Sequence, residues 1–104
     1  MAKERLYLVT YDISDPKRWR RIFNLMKGYG HWLQLSVFQC RLTARRRAEM
    51  TIRLDESMKP TEDHILILDM GPADKIKPRV ESLGRSYEAP TLSLIHISEP
   101  TRPY

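Results

Sequence analysis

Residues 5–12 read RLYLVTYD, and Leu6, Tyr7, Leu8, Val9 and Tyr11 make both alternating faces apolar. Valine, tyrosine and threonine favour pleated backbone, so the run predicts a strand. A strand apolar on both sides belongs in the middle of a sheet covered on both. The period then changes. In SDPKRWRRIFNLMKGYG, Trp19, Ile22, Phe23, Met26 and Tyr29 recur at helical spacing and leave Lys17, Arg18, Arg20, Arg21, Asn24 and Lys27 outside. Asp15 suits the cap, Pro16 the first helical position, and Gly28 and Gly30 the end. HWLQLSVFQCRL returns to strand. Its imperfect alternation over residues 32–42 fits one long bent strand or two short ones divided near Ser36. TARRRAEMTIRLDESM predicts a second helix capped by Thr43, with a sparse apolar set: Ala44, Ala48, Met50, Leu54 and Met58. After the loop KPTED, HILILDM (residues 64–70) is a second strand apolar on both faces. GPADKIKPRVESLG is turn-rich, with a short helix expected near residues 80–83.

Strand, helix, strands, helix, strand is the order of an α+β sandwich with its helices on one sheet face. Two helices cover one face, yet two strands are apolar on both. The expected cover for the second face is a second copy of the chain, packed sheet to sheet about a two-fold axis. The 104 residues fit one domain, assigned to residues 1–90. From about residue 92, LSLIHISEPTRPY breaks the charge rhythm and resembles the translated end of a sequencing adapter. Residues 91–104 are therefore read as a non-native tail and kept out of the fold, although LSLIHI has the alternation of an edge strand.

Charge narrows the partners. Lysine and arginine outnumber aspartate and glutamate by 18 to 13, and the net charge of +5 favours an anionic partner, of which nucleic acid is the commonest. The lone Cys40 excludes an intrachain disulfide and reads as a small core residue in a reducing compartment. No apolar run approaches the roughly 20 residues of a membrane span, and the N-terminus lacks signal-peptide order, so a cytoplasmic location without a membrane partner is expected. His31 and His64 stand alone, without zinc-ligand spacing, and His96 falls in the tail. There is neither a glycine-rich phosphate loop nor a nucleophile elbow.

Asp12 closes the first strand just before a helix start, where unpaired N–H groups attract phosphate. A carboxylate there can hold a divalent cation that bridges to phosphate, or it can hydrogen-bond the following turn. The residues leave both readings open. One carboxylate makes a weak Mg2+ site. Two copies facing each other across a dimer axis make a better one, the ion offsetting their repulsion. The bases form three groups: Lys17, Arg18, Arg20 and Arg21; Arg41, Arg45, Arg46 and Arg47; Lys75, Lys77 and Arg79. Arginine's planar fork suits phosphate, so the first two groups are candidate nucleic-acid contacts, against the plainer reading of a solvated helix face. For Ser36 and Phe38, ordinary strand alternation with Phe38 in the core suffices.

Taken together, YLVTYDISDPKRWRRIFNLMKGYG, LQLSVFQCRL and HILILDMG, in this order and spacing over residues 5–71, resemble the CRISPR-associated protein two family, the small adaptation proteins of bacterial immunity. The resemblance implies a ferredoxin-like fold, an antiparallel sheet with two helices on one face, and a homodimer formed through the sheet. In it a last strand adds to the partner's sheet. It implies that Asp12 is the divalent-metal ligand and catalytic residue, with one Mg2+ (or Mn2+) per dimer on the two-fold axis, and that Ser14, Ser36 and Phe38 lie near it. It implies a role in spacer acquisition: bridging two dimers of the CRISPR-associated integrase and holding a double-stranded DNA fragment, gripped here by Lys17, Arg18, Arg20, Arg21, Arg41, Arg45 and Arg46. The alternative is a Mg2+-dependent endonuclease acting on RNA or double-stranded DNA. A ferredoxin-like RNA-binding module is a third reading, but the exposed aromatics of such a sheet are missing. Two features depart from the family pattern. Trp32, or its neighbour His31, stands where arginine is frequent, and the tail replaces the natural final strand.

Overall fold

In the computed structural model, residues 3–84 are described. The first apolar run becomes β1 (Glu4–Asp12), and alternation sorts its side chains. Tyr7, Val9 and Tyr11 turn into the core. α1 (Pro16–Met26) starts where the cap predicts: Asp15 accepts the Arg18 N–H at 2.9 Å, and Pro16 occupies the first turn. Ile22, Phe23 and Met26 form its buried face.

The ambiguous third run resolves into two strands, β2 (Gly30–Gln34) and β3 (Val37–Thr43), joined by a tight turn at residues 35–36. Leu35 takes a φ of 44°, a left-handed conformation that costs a residue with a Cβ about 1–2 kcal/mol. Hydrogen bonds hold the turn against that cost: the Trp32 indole N–H donates to the Leu35 carbonyl at 2.9 Å, and the Trp19 indole N–H to Ser36 Oγ at 2.8 Å. Gly30 is required at its position, since a Cβ there would lie 2.5 Å from Cys40 Sγ and from the Gln39 carbonyl. α2 (Ala44–Ser57) is capped by Thr43, whose hydroxyl accepts the Arg46 N–H at 3.2 Å. β4 (His64–Pro72) closes the fold.

The strand order β2-β3-β1-β4 is antiparallel throughout, and both helices lie on one face, so the fold is the ferredoxin-like α+β sandwich. Its core is the layer between helices and sheet: Phe23, Phe38, Ile22, Met26, Met50, Val9 and Cys40 are fully enclosed. Among the described residues, no helix is long and apolar enough to cross a membrane.

Two expectations change, and one face of β4 stays open in the single chain. Ile65 and Ile67 pack against the core, while Leu66, Leu68 and Met70 remain 48%, 40% and 38% exposed. The second sheet face is also partly covered by the chain itself. After β4, Ala73, Ile76 and Pro78 come back over Leu6, His31, Gln39 and Arg41, which explains why Leu6 is only 5% exposed. No helix forms near residues 80–83, where one apolar turn has no surface to pack on and cannot repay helix nucleation. The tail assigned to residues 91–104, and with it any exchanged final strand, lies outside the described residues.

Candidate functional site

Asp12 is the last residue of β1 and is exposed. Its neighbours Tyr11 and Ile13 are buried among the helices, so alternation aims the Asp12 carboxylate at the helix-free face. It is flanked on two sides. Across the β1–β4 ladder it is in register with His64, also exposed. On the β3 side the ladder ends at Thr10 and Val37, and the Tyr11 N–H then donates to the Ser36 carbonyl at 3.1 Å. Ser36 thus lies opposite Tyr11, one residue from Asp12 along β1, and its hydroxyl is turned to the helix side, where it accepts from the Trp19 indole. Ser14 is exposed in the short loop that leads to α1.

Phe38 is elsewhere. It is fully enclosed on the helix side of the sheet, its ring centroid 5.5 Å from that of Phe23 and 6.3 Å from that of Tyr11. The resemblance implies that it lies near Asp12; its alternation puts it on the opposite sheet face, where it supports β1 through Tyr11.

The loops around Asp12 are fixed by a carboxylate that sequence reasoning missed. Asp63, immediately before β4, has a side chain with no exposed surface. It accepts hydrogen bonds from Arg18 Nε at 2.8 Å, Arg18 Nη2 at 3.1 Å and the Lys59 N–H at 2.8 Å. Glu62 takes a second Arg18 contact at 3.0 Å and Lys59 Nζ at 3.1 Å. The Arg18 hydrogen bonds, with Lys59 and the cationic charge behind them, hold the Asp63 carboxyl below its ordinary value and outweigh burial, which acts the other way. Asp63 in turn holds the guanidinium more firmly protonated. Arg18, expected among the nucleic-acid contacts, directs its guanidinium hydrogen bonds to Asp63 and Glu62. Its charge is spent inside the protein, tying the start of α1 to the start of β4. An Asp-His pair opening a strand is the available sequence signal, but its partner lies 45 residues away.

The remaining bases sort by surface. Lys17, Arg20 and Arg21 are exposed, and together with Asn24 and Lys27 they form one stripe on the outer side of α1. Among the described residues no ion pair engages Lys17, Arg20 or Arg21. Lys17 to Lys27 spans about 15 Å. The second group splits. Arg41 projects from β3 onto the helix-free face, where its exposed guanidinium pairs with Glu4 at 2.6 Å. Arg45 is exposed on α2. Arg46 is occupied: it donates to the Gly28 carbonyl at 3.0 Å, pairs with Glu49 at 3.2 Å and sits 4.4 Å above the Tyr29 ring. Arg47 lies over Tyr7. The Cys40 thiol is pushed up to about 11 by burial, which leaves it unreactive at neutral pH.

Among the described residues, no three ligand-type side chains gather into a metal site. One chain offers Asp12 with His64 beside it. That donor set fits a divalent ion only when a second copy doubles it.

Comparison with known proteins bears on this arrangement. Residues 5–77 match the family model described as CRISPR associated protein Cas2. A Rhodospirillum rubrum protein named CRISPR-associated endoribonuclease Cas2 1 is 54% identical over 85 residues, 82% of this chain and 83% of its own. A CRISPR-associated endoribonuclease Cas2 from Geobacter sulfurreducens is 52% identical over 85 residues, 82% of this chain and 90% of its own. Among solved structures, Streptococcus pyogenes Cas2 superposes with a TM-score of 0.67 at 33% identity, covering 76% of this chain and 99% of that one.

Proposed function

Because the chain belongs to the Cas2 family, we propose that it acts in CRISPR spacer acquisition as a homodimeric adaptor that holds a double-stranded DNA fragment between copies of the CRISPR-associated integrase. The observation that carries this reading is the α1 stripe. Lys17, Arg20 and Arg21 stay outside the internal ion-pair network that takes up Arg18, and they face outward on a rigid, capped helix. Phosphate contacts of this kind position a duplex without reading its sequence. The exposed Leu66, Leu68 and Met70 on edge strand β4 supply an apolar surface for the second protomer.

Asp12 favours a second reading, a metal-dependent nuclease, in line with the endoribonuclease names of the relatives. Asp12 from each protomer would hold Mg2+ or Mn2+, which when bound lowers the pKa of water and offsets phosphate charge. The chain's own part is to aim the carboxylate, through the β1–β4 register and the Ser36 carbonyl. Among the described residues no three ligand-type side chains gather at Asp12, so the adaptor reading ranks first.

The test is sedimentation of the chain with the integrase and a short duplex. A ternary complex containing two copies of this chain is expected. A chain that neither dimerises nor joins the integrase and duplex contradicts the proposal.

A further inference from the structure

β4 begins at His64, and the ladder sets that residue directly opposite Asp12. Residues directly opposite share a sheet face, with Cβ atoms about 4.5–5.5 Å apart. Their neighbours Tyr11 and Ile65 pack against the core, so Asp12 and His64 both leave by the helix-free side, and both are exposed. Among the described residues, neither side chain takes part in a hydrogen bond or ion pair.

The backbone that carries them is held from both sides. The enclosed Asp63 carboxylate fixes the start of β4 to α1, and the Ser36 carbonyl fixes the end of β1 to the hairpin turn. Two free donors on immobilised backbone are what a metal ligand pair requires. Their chemistry differs. Carboxylate and water oxygens satisfy Mg2+, which keeps its waters and takes nitrogen poorly, while imidazole favours the first-row transition ions.

We infer that His64 donates an imidazole nitrogen to the divalent ion at Asp12, so that this end of the sheet selects Mn2+ over Mg2+. The inference rests on the reading that Asp12 of paired protomers holds a metal. It adds a second donor from each chain and a preference between ions.

The experiment is Mn2+ binding to the full-length dimer, read from the free-ion electron paramagnetic resonance signal and repeated with Mg2+ as competitor. Wild type, Asp12→Ala, His64→Ala and His64→Gln are compared. Both side chains are exposed, so circular dichroism spectra should match across the set. His64→Ala and His64→Gln are expected to weaken Mn2+ binding by about tenfold or more while leaving the Mg2+ affinity within about twofold. Asp12→Ala is expected to weaken both ions. If Asp12→Ala lowers Mn2+ binding and the His64 variants match wild type, this inference alone is overturned. If Asp12→Ala also binds both ions as wild type does, the metal reading of Asp12 falls, and this inference with it.

Discussion

Asp63 shows how one residue can matter to a site that it does not enter. Its carboxyl is held below the ordinary value of 3.8, first by the Arg18 hydrogen bonds. The sign follows: a lowered native pKa adds stability that is complete above the unfolded-state value, near 4, and is lost as the pH falls through the native value. Asp63→Asn should therefore flatten the acid limb of the unfolding curve below about pH 4. At pH 7 it should lower the melting temperature by on the order of 10 °C, because it leaves Arg18 without its main partner. Circular dichroism against pH and temperature checks both effects. Phe38→Ala should cost about 3–5 kcal/mol in denaturant unfolding, in keeping with a core role on the far side of the sheet from Asp12. Asp12 is legible in the sequence because strand composition stops there and helix capping begins three residues on. The His64 partnership is not, since it depends on a strand register that connects positions on two separate runs.

At the element scale, α1 is readable from its ends: Asp15, Pro16 and the apolar spacing leave little choice. Its charge is less so. Four bases look equivalent in sequence, but tertiary packing draws Arg18 into a network and leaves Lys17, Arg20 and Arg21 outward. Duplex binding should therefore separate them. Replacing Lys17, Arg20 and Arg21 by alanine should flatten the plot of log affinity against log salt by about 0.9 for each phosphate that is no longer neutralised. Arg18→Ala should lower stability and leave that slope within error of wild type. Equal slopes for wild type and the triple variant, from fluorescence anisotropy over a salt series, would make the stripe a solvated surface. The hairpin at residues 35–36 is ambiguous in sequence for a physical reason: a leucine with positive φ carries no turn signature, and the indoles that hold the turn come from β2 and α1.

For the whole molecule, sequence predicts an α+β sandwich with a sheet face left over, and the structure keeps that imbalance in reduced form. Residues 73–78 cover Leu6, while Leu66, Leu68 and Met70 on the edge strand stay open to solvent. A protein that exposes such an edge is expected to be dimeric at micromolar concentration, and introducing charge with Leu68→Lys should shift sedimentation toward the 12.3 kDa monomer. In the proposed assembly the two faces of the molecule divide the work: the α1 stripe on the helix side grips the fragment, and Asp12 lies on the helix-free face. The central claim is that the grip, and not the carboxylate, is what spacer acquisition needs. The most direct measurement is fragment insertion into a repeat array, reconstituted with the integrase and three forms of this chain. Wild type and Asp12→Ala should support insertion alike, while the Lys17, Arg20 and Arg21 triple alanine variant, folded and dimeric, should lose it. Insertion that survives the triple variant and disappears with Asp12→Ala would contradict the account.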